Sequence, residues 1–168
     1  MWKECSNDLN KLPLLTVAEY LNDSEKHPEL NFLEVQLKDL TPELLDNLKS
    51  ETQAVLMLST DTAHAMPELR RAFFKLVDSS VELPAVIKRT YDNISEDELQ
   101  IYSATDMGGL LIDGFGDGVL LSTASTAPGK SKDKMLELIK NYNSTGIGIL
   151  HAARTRMTKT EYISSPSC

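Results

Sequence analysis

Two hydrophobic rhythms alternate along this chain. Short apolar runs bounded by polar residues are followed by stretches in which apolar side chains recur every three or four positions. The run LNFLEVQL, from Leu30, predicts a strand. VLML, from Val55 to Leu58, predicts a second, and its continuity suits a buried parallel strand. A third strand is expected around Val86 and Ile87 in LPAVIKRTY. Between the first two, TPELLDNLKS offers Thr41 as N-cap and Pro42 at the first helical position, which predicts a short helix. MPELRRAFFKLVDSS places Leu69, Phe73, Leu76 and Val77 on one helical face. Ser95 and Glu98 have the spacing of a capping box at the head of SEDELQIYSATDM, so a third helix is predicted there.

Beyond this point glycine punctuates the pattern. Gly108 and Gly109 are expected to end the third helix, Leu110 to Ile112 to form a strand, and a glycine-rich turn to lead into GVLLS. SKDKMLELIKNY reads as an amphipathic helix with Met135, Leu138, Ile139 and Tyr142 on one side. TGIGILHAAR reads as a further helix entered through Gly146 and Gly148, and TKTEYIS as a short extended run. Strand and helix thus alternate at least four times, which predicts an α/β chain of parallel βα units. Such units form either part of a TIM-barrel-like ring or a small open sheet, and the pattern is compatible with both. No low-complexity segment and no internal repeat interrupts it.

Composition narrows the picture. A length of 168 residues suits one domain with a buried core, and 41% hydrophobic with 25% charged residues is ordinary globular usage. The net charge of -8 argues against nucleic acid or an anionic membrane as partner. Cys5 and Cys168 sit near opposite ends and form no disulfide framework, so a reducing, cytosolic setting is expected. MWKECSNDLN has no signal-peptide core, and no apolar run reaches bilayer length.

Little in the residues alone points to chemistry. DGFGDG, Asp113 to Gly118, could present backbone N–H groups to a phosphate, but it lacks the lysine and hydroxyl of a P-loop, and its carboxylates would repel the anion. A tight structural turn is the plainer reading. RTRMTK, Arg154 to Lys159, either complements a helix dipole or binds a diphosphate through its arginine pair. His27, His64 and His151 show no metal-ligand spacing, and Glu96 and Asp97 lie in a helix first turn, where acids are favoured. The chain ends within SPSC, which suggests a motif cut from a longer protein.

Taken together, GGLLIDGFGDGVLLS and GILHAARTRMTKTEYISSPSC resemble the 4-hydroxy-3-methylbut-2-enyl diphosphate synthase (GcpE) family, in its large three-domain form. LPAVIKRTYDNISEDELQIYSATDMGG resembles the stretch just upstream more loosely. The resemblance implies an oxidoreductase of non-mevalonate isoprenoid synthesis, in bacterial cytoplasm or a plastid, fed by ferredoxin or flavodoxin. Residues 1–157 would then belong to a central inserted barrel-like domain, and residues 158–168 would lead into an iron–sulfur domain. In the family a [4Fe–4S] cluster is held by three cysteines and a glutamate. Cys168 falls on the second cysteine of the family's Cys-Pro-Ser-Cys, and Ser165 occupies the place of the first. With at most one ligand present, no cluster is expected on this chain itself. The family's substrate barrel carries an arginine and a serine for phosphate where this chain has Leu120 and Ser122. The implied role is therefore a spacer between catalytic domains, in contact with the other domains of the same enzyme. The alternative is diphosphate or interdomain contact through Arg154 and Arg156.

Overall fold

The structure, a computed structural model, describes residues 11–22, 26–123 and 132–155. Its centre is a five-stranded sheet in the order β1-β2-β3-β4-β5. The strands are β1 (Leu14–Leu15), β2 (Asn31–Val35), β3 (Ala54–Leu58), β4 (Ala85–Thr90) and β5 (Gly118–Ser122). Every pairing is parallel, with Leu33 opposite Leu56, Leu58 opposite Ile87 and Ile87 opposite Val119. Each strand therefore lies beside its predecessor. Right-handed crossovers that always step the same way place their helices on one face of the sheet. This is the winding of the parallel βα units expected from the sequence, here as an open sheet with β1 and β5 at its edges.

The helices are α1 (Val17–Leu21), α2 (Pro42–Lys49), α3 (Ala65–Asp78), α4 (Glu96–Ser103), α5 (Gly109–Ile112) and α6 (Lys132–Ala152). Several begin as local chemistry dictates. Thr41 accepts a hydrogen bond from the Leu44 N–H at 3.3 Å with Pro42 at the first position, and Ser95 and Glu98 form a complete capping box. The core fills the helical side of the sheet. Leu33, Val35, Leu56, Leu58 and Ile87 pack with Leu44, Leu48, Leu69, Phe73 and Leu76, all buried. Burial of each such side chain contributes about 1.5–3 kcal/mol. Val77, expected on that stripe, is instead 60% exposed, and Ile139 of α6 is 49% exposed. The buried stripes are narrower than the apolar pattern suggests.

The region around the glycine pair differs from expectation. The helix does not stop at Gly108. It passes through a π-helical turn, Ala104–Gly108, and continues as α5. Leu110 to Ile112 are thus helical, because Met107, Leu110 and Leu111 are all buried at the i, i+3, i+4 spacing of one helix face. Gly146 and Gly148 likewise start no new helix, and α6 is a single helix of 21 residues. β1, α1 with its Thr16–Glu19 capping box, and a 3₁₀ turn at Leu37–Asp39 are elements the apolar pattern does not announce. The extended run expected at TKTEYIS lies outside the described residues. Among the described residues no helix is long and apolar enough to cross a membrane.

Candidate functional site at the carboxyl ends of the strands

Parallel βα folds place ligands at the carboxyl ends of their strands, where backbone groups leave the sheet. Here a cleft of about 290 Å³ lies at those ends, lined by Glu34, Ser59, Thr62, Lys88, Thr90 and Asp92, among others. Strand alternation sets which side chains face it. Leu33, Val35 and Ile87 point into the core, so Glu34 and Lys88 lie on the opposite face. Lys88 Nζ donates to both carboxylate oxygens of Glu34, at 2.7 and 2.8 Å. Leu120 stands opposite Lys88 in the β4–β5 register and is 38% exposed. Ser122 ends β5 on this rim, its hydroxyl 2.8 Å from Thr90 Oγ1 and donating to the Arg89 carbonyl at 3.3 Å. Ser122 thus ties β4 to β5.

A second polar cluster lies behind the rim on the helical side. Arg89 is buried; its Nε donates to Asp106 Oδ2 at 2.9 Å and its Nη1 to the Thr60 carbonyl at 2.7 Å. The Tyr91 hydroxyl donates to the same Asp106 oxygen at 2.7 Å, and the guanidinium carbon lies 5.4 Å from the Tyr91 ring centroid. Burial, and next the hydrogen bond to Asp106, push the Tyr91 phenol well above its usual range. Tyr142 of α6 donates to the Tyr91 carbonyl at 2.8 Å, and burial raises its phenol too. The π-helical turn supplies Asp106 and Met107 to the interior together. Sequence reading missed this cluster. Its only local signal was a charged pair, Lys88–Arg89, inside a predicted strand, where one side chain of two neighbours must turn inward.

The other residues singled out from sequence lie elsewhere. DGFGDG enters β5 at the amino end of the sheet, away from the rim, and follows a helix, not a strand. Gly114 and Gly116 take φ of 84° and 88°, and a Cβ on Gly116 would sit 3.2 Å from the Ile87 side chain. Phe115 stacks on Phe73 with ring centroids 5.3 Å apart. Asp113 pairs with Arg70, and Asp117 Oδ2 accepts the Ala85 N–H at 2.8 Å. Both carboxylates are engaged, as the turn reading requires.

α6 runs back against the strands. Tyr142 meets Tyr91 just past β4, whereas a Cβ on Gly146 would lie 3.4 Å from Val119, inside β5. Arg154 is eight residues further on, about 12 Å of helical rise, towards the amino ends of the strands. It is exposed, takes φ of 57° and closes the helix end, where a cation complements the dipole. Ser122 and Arg154 therefore stand at opposite ends of the sheet. Arg156, Ser165 and Cys168 lie outside the described residues.

Comparison with known proteins supplies what this geometry does not. No family model and no solved structure matches the chain. It is 35% identical over 167 residues to 4-hydroxy-3-methylbut-2-en-1-yl diphosphate synthase (flavodoxin) of Parabacteroides distasonis, an alignment of 99% of this chain and 25% of that protein. It is 34% identical to the synthase (flavodoxin) of Bacteroides thetaiotaomicron, over 83% of the chain and 21% of the relative. The chloroplastic synthase (ferredoxin) of Arabidopsis thaliana is 34% identical, over 95% of the chain and 21% of the relative. The match to the first relative runs along nearly the whole chain, not only along its glycine-rich and arginine-rich motifs. The chain belongs to the 4-hydroxy-3-methylbut-2-en-1-yl diphosphate synthase family, and spans between a fifth and a quarter of the length of these relatives.

Proposed function

We propose that the chain is the scaffold portion of a synthase that reductively converts 2-C-methyl-D-erythritol 2,4-cyclodiphosphate to 4-hydroxy-3-methylbut-2-enyl diphosphate. Its own residues hold other domains in place and do not form the reacting centre. In this proposal residues 1–157 are part of a central inserted barrel-like domain and residues 158–168 lead into an iron–sulfur domain. The parent takes electrons from a flavodoxin or ferredoxin, the donors named for its relatives, in bacterial cytoplasm or a plastid.

The observation that carries the scaffold reading is the occupied rim. Lys88 is held by both oxygens of Glu34 and Arg89 by Asp106 and Thr60, while the position matching the family's phosphate arginine is Leu120. A diphosphate needs cations free to pair with it. These cations already have carboxylate partners, and Asp61 and Asp92 add negative charge to the same cleft. A [4Fe–4S] cluster requires thiolates. Cys5 and Cys168 lie outside the described residues, and among the described ones no three His, Cys, Asp or Glu side chains gather as a metal site. The cluster is assigned to the parent, with Cys168 as one ligand, and none to this chain alone.

Anaerobic reconstitution with iron and sulfide tests this. The full-length synthase should gain visible absorbance and turn over the cyclic diphosphate, and the 168-residue chain should gain neither. A stoichiometric, stable cluster on the chain alone would sink the scaffold reading. A second reading, contact through Arg154 and Arg156, draws support from the exposure of Arg154 at the end of α6. It expects heat on titration with the cyclic diphosphate, abolished by Arg154→Ala with Arg156→Ala. No heat in the unmutated chain leaves these arginines to interdomain contact.

A further inference from the structure

Glycine is a poor residue inside a helix, so a helical glycine calls for a reason. Gly146 has one, because its missing side chain lets α6 approach Val119 and Leu121 of the sheet. Gly108, Gly109 and Gly148 have none within the described residues. Gly108 and Gly109 have φ of -59° and -62°, open to any residue. A Cβ built on any of the three meets no heavy atom within 4 Å. All three face the same place, a groove of about 560 Å³ between α4–α5 and α6. Ala104, Ile149 and Ala152 complete much of its surface, no charged residue among the described ones lines it, and Ile112 on its lip is 71% exposed. In a chain with 25% charged residues, an uncharged groove of this size is a departure from the rest of the surface.

We propose that this groove receives an apolar helix from another part of the same parent polypeptide. The inference rests on reading the chain as part of a longer synthase. Two facts select this occupant. The chain spans 25% of the Parabacteroides relative, so in a protein of that length most of the polypeptide lies elsewhere. α6 also ends at the groove, with Ala152 and Ala153 lining it, so polypeptide that continues from this helix is tethered beside the opening. Small residues allow the close backbone approach that helix-on-helix packing needs, while side chains at the glycines would hold a partner helix off. The absence of charge suits an apolar helix face better than a polar loop.

The test compares the 168-residue chain with the full-length synthase by thermal unfolding and amide hydrogen exchange. In the short chain Gly148→Ala should raise Tm by about 2–4 °C, and Gly148→Leu should not lower it, because the space is open. In the full-length protein Gly148→Leu should lower Tm and speed exchange at Gly108–Ile112 and Ser144–Ala152 at least tenfold. If that variant does not fold, the unmutated proteins still decide, since these amides should be at least tenfold better protected in full length than in the short chain. Equal protection overturns the proposal. So does a concentration-dependent dimer of the short chain that Gly148→Leu abolishes, because the occupant is then a second copy. A full-length protein that turns over the cyclic diphosphate yet shows equal protection rejects only the groove, whereas one that lacks turnover rejects the synthase reading.

Discussion

Neighbouring cations on β4 behave as different groups because of where their side chains point. Lys88 sits on the open face in a pair whose side chains are 20% and 32% exposed, and water screens much of its attraction to Glu34. Arg89 sits one position on, inside, with its side chain 9% exposed and its partner Asp106 12% exposed. Removing one partner there leaves a buried charge alone. Asp106→Ala should therefore cost about 3–5 kcal/mol in urea unfolding, against less than about 1 kcal/mol for Lys88→Met. Tyr91→Phe, which deletes one hydrogen bond, should cost about 1–1.5 kcal/mol. The raised Tyr91 phenol gives this site a pH signature. Its folded pKa lies above the ordinary value of 10, so its stabilisation is fully present below pH 10 and is lost as pH rises further. Stability of the unmutated chain should fall above pH 10, and Tyr91→Phe should flatten that limb, leaving the smaller contribution of Tyr142. In the glycine-rich turn, Gly116→Ala should destabilise more than Gly114→Ala. Both have positive φ, but only Gly116 also faces Ile87 at 3.2 Å. A gap of less than about 0.5 kcal/mol between the two in denaturant midpoints would refute the close-approach account.

At the scale of elements, the π-helical turn between α4 and α5 carries the buried cluster. One π turn inserts an extra residue into a helix and shifts the phase of everything after it. Here it lets Leu99 on one side and Met107, Leu110 and Leu111 on the other all face inward, with Asp106 aimed at Arg89. Deleting Thr105, an exposed residue of that turn, should restore plain α-helical phase and separate Asp106 from Arg89. The expected loss is comparable to that of Asp106→Ala. A deletion variant as stable as the unaltered chain would show that the turn has no such role. The head of the same helix depends on local chemistry alone. Ser95 accepts the Glu98 N–H at 3.3 Å, and Ser95→Ala should cost about 1 kcal/mol by the same unfolding assay.

At the scale of the whole molecule, the described residues form an open, singly wound sheet and leave one of its faces and two edges without helices. Leu14 on the edge strand is 50% exposed and Leu120 is 38% exposed. Unpaired edges and exposed apolar side chains favour association. The 168-residue chain should sediment with rising apparent mass as concentration increases, and Leu14→Lys should reduce that rise; a strictly monomeric chain would contradict it. How the fold and the rim relate to the sequence follows from the range over which each signal acts. Capping residues, apolar period and family-like motifs act over a few neighbouring positions. The sequence by itself accordingly determined the parallel βα alternation, the starts of α2 and α4, the turn role of DGFGDG and the family. Gly108 and Gly109 suit a break as well as a helix, because glycine is compatible with both helix and turn, and only the burial of Met107, Leu110 and Leu111 decides for helix. Tertiary structure alone decided that Arg89 turns inward while Lys88 turns out to Glu34, since strand alternation leaves open which face is the core. It alone placed Ser122 and Arg154 at opposite ends of the sheet, because α6 must run back along the strands to bury its apolar side. Those placements depend on contacts between residues far apart in the chain, which no local pattern records.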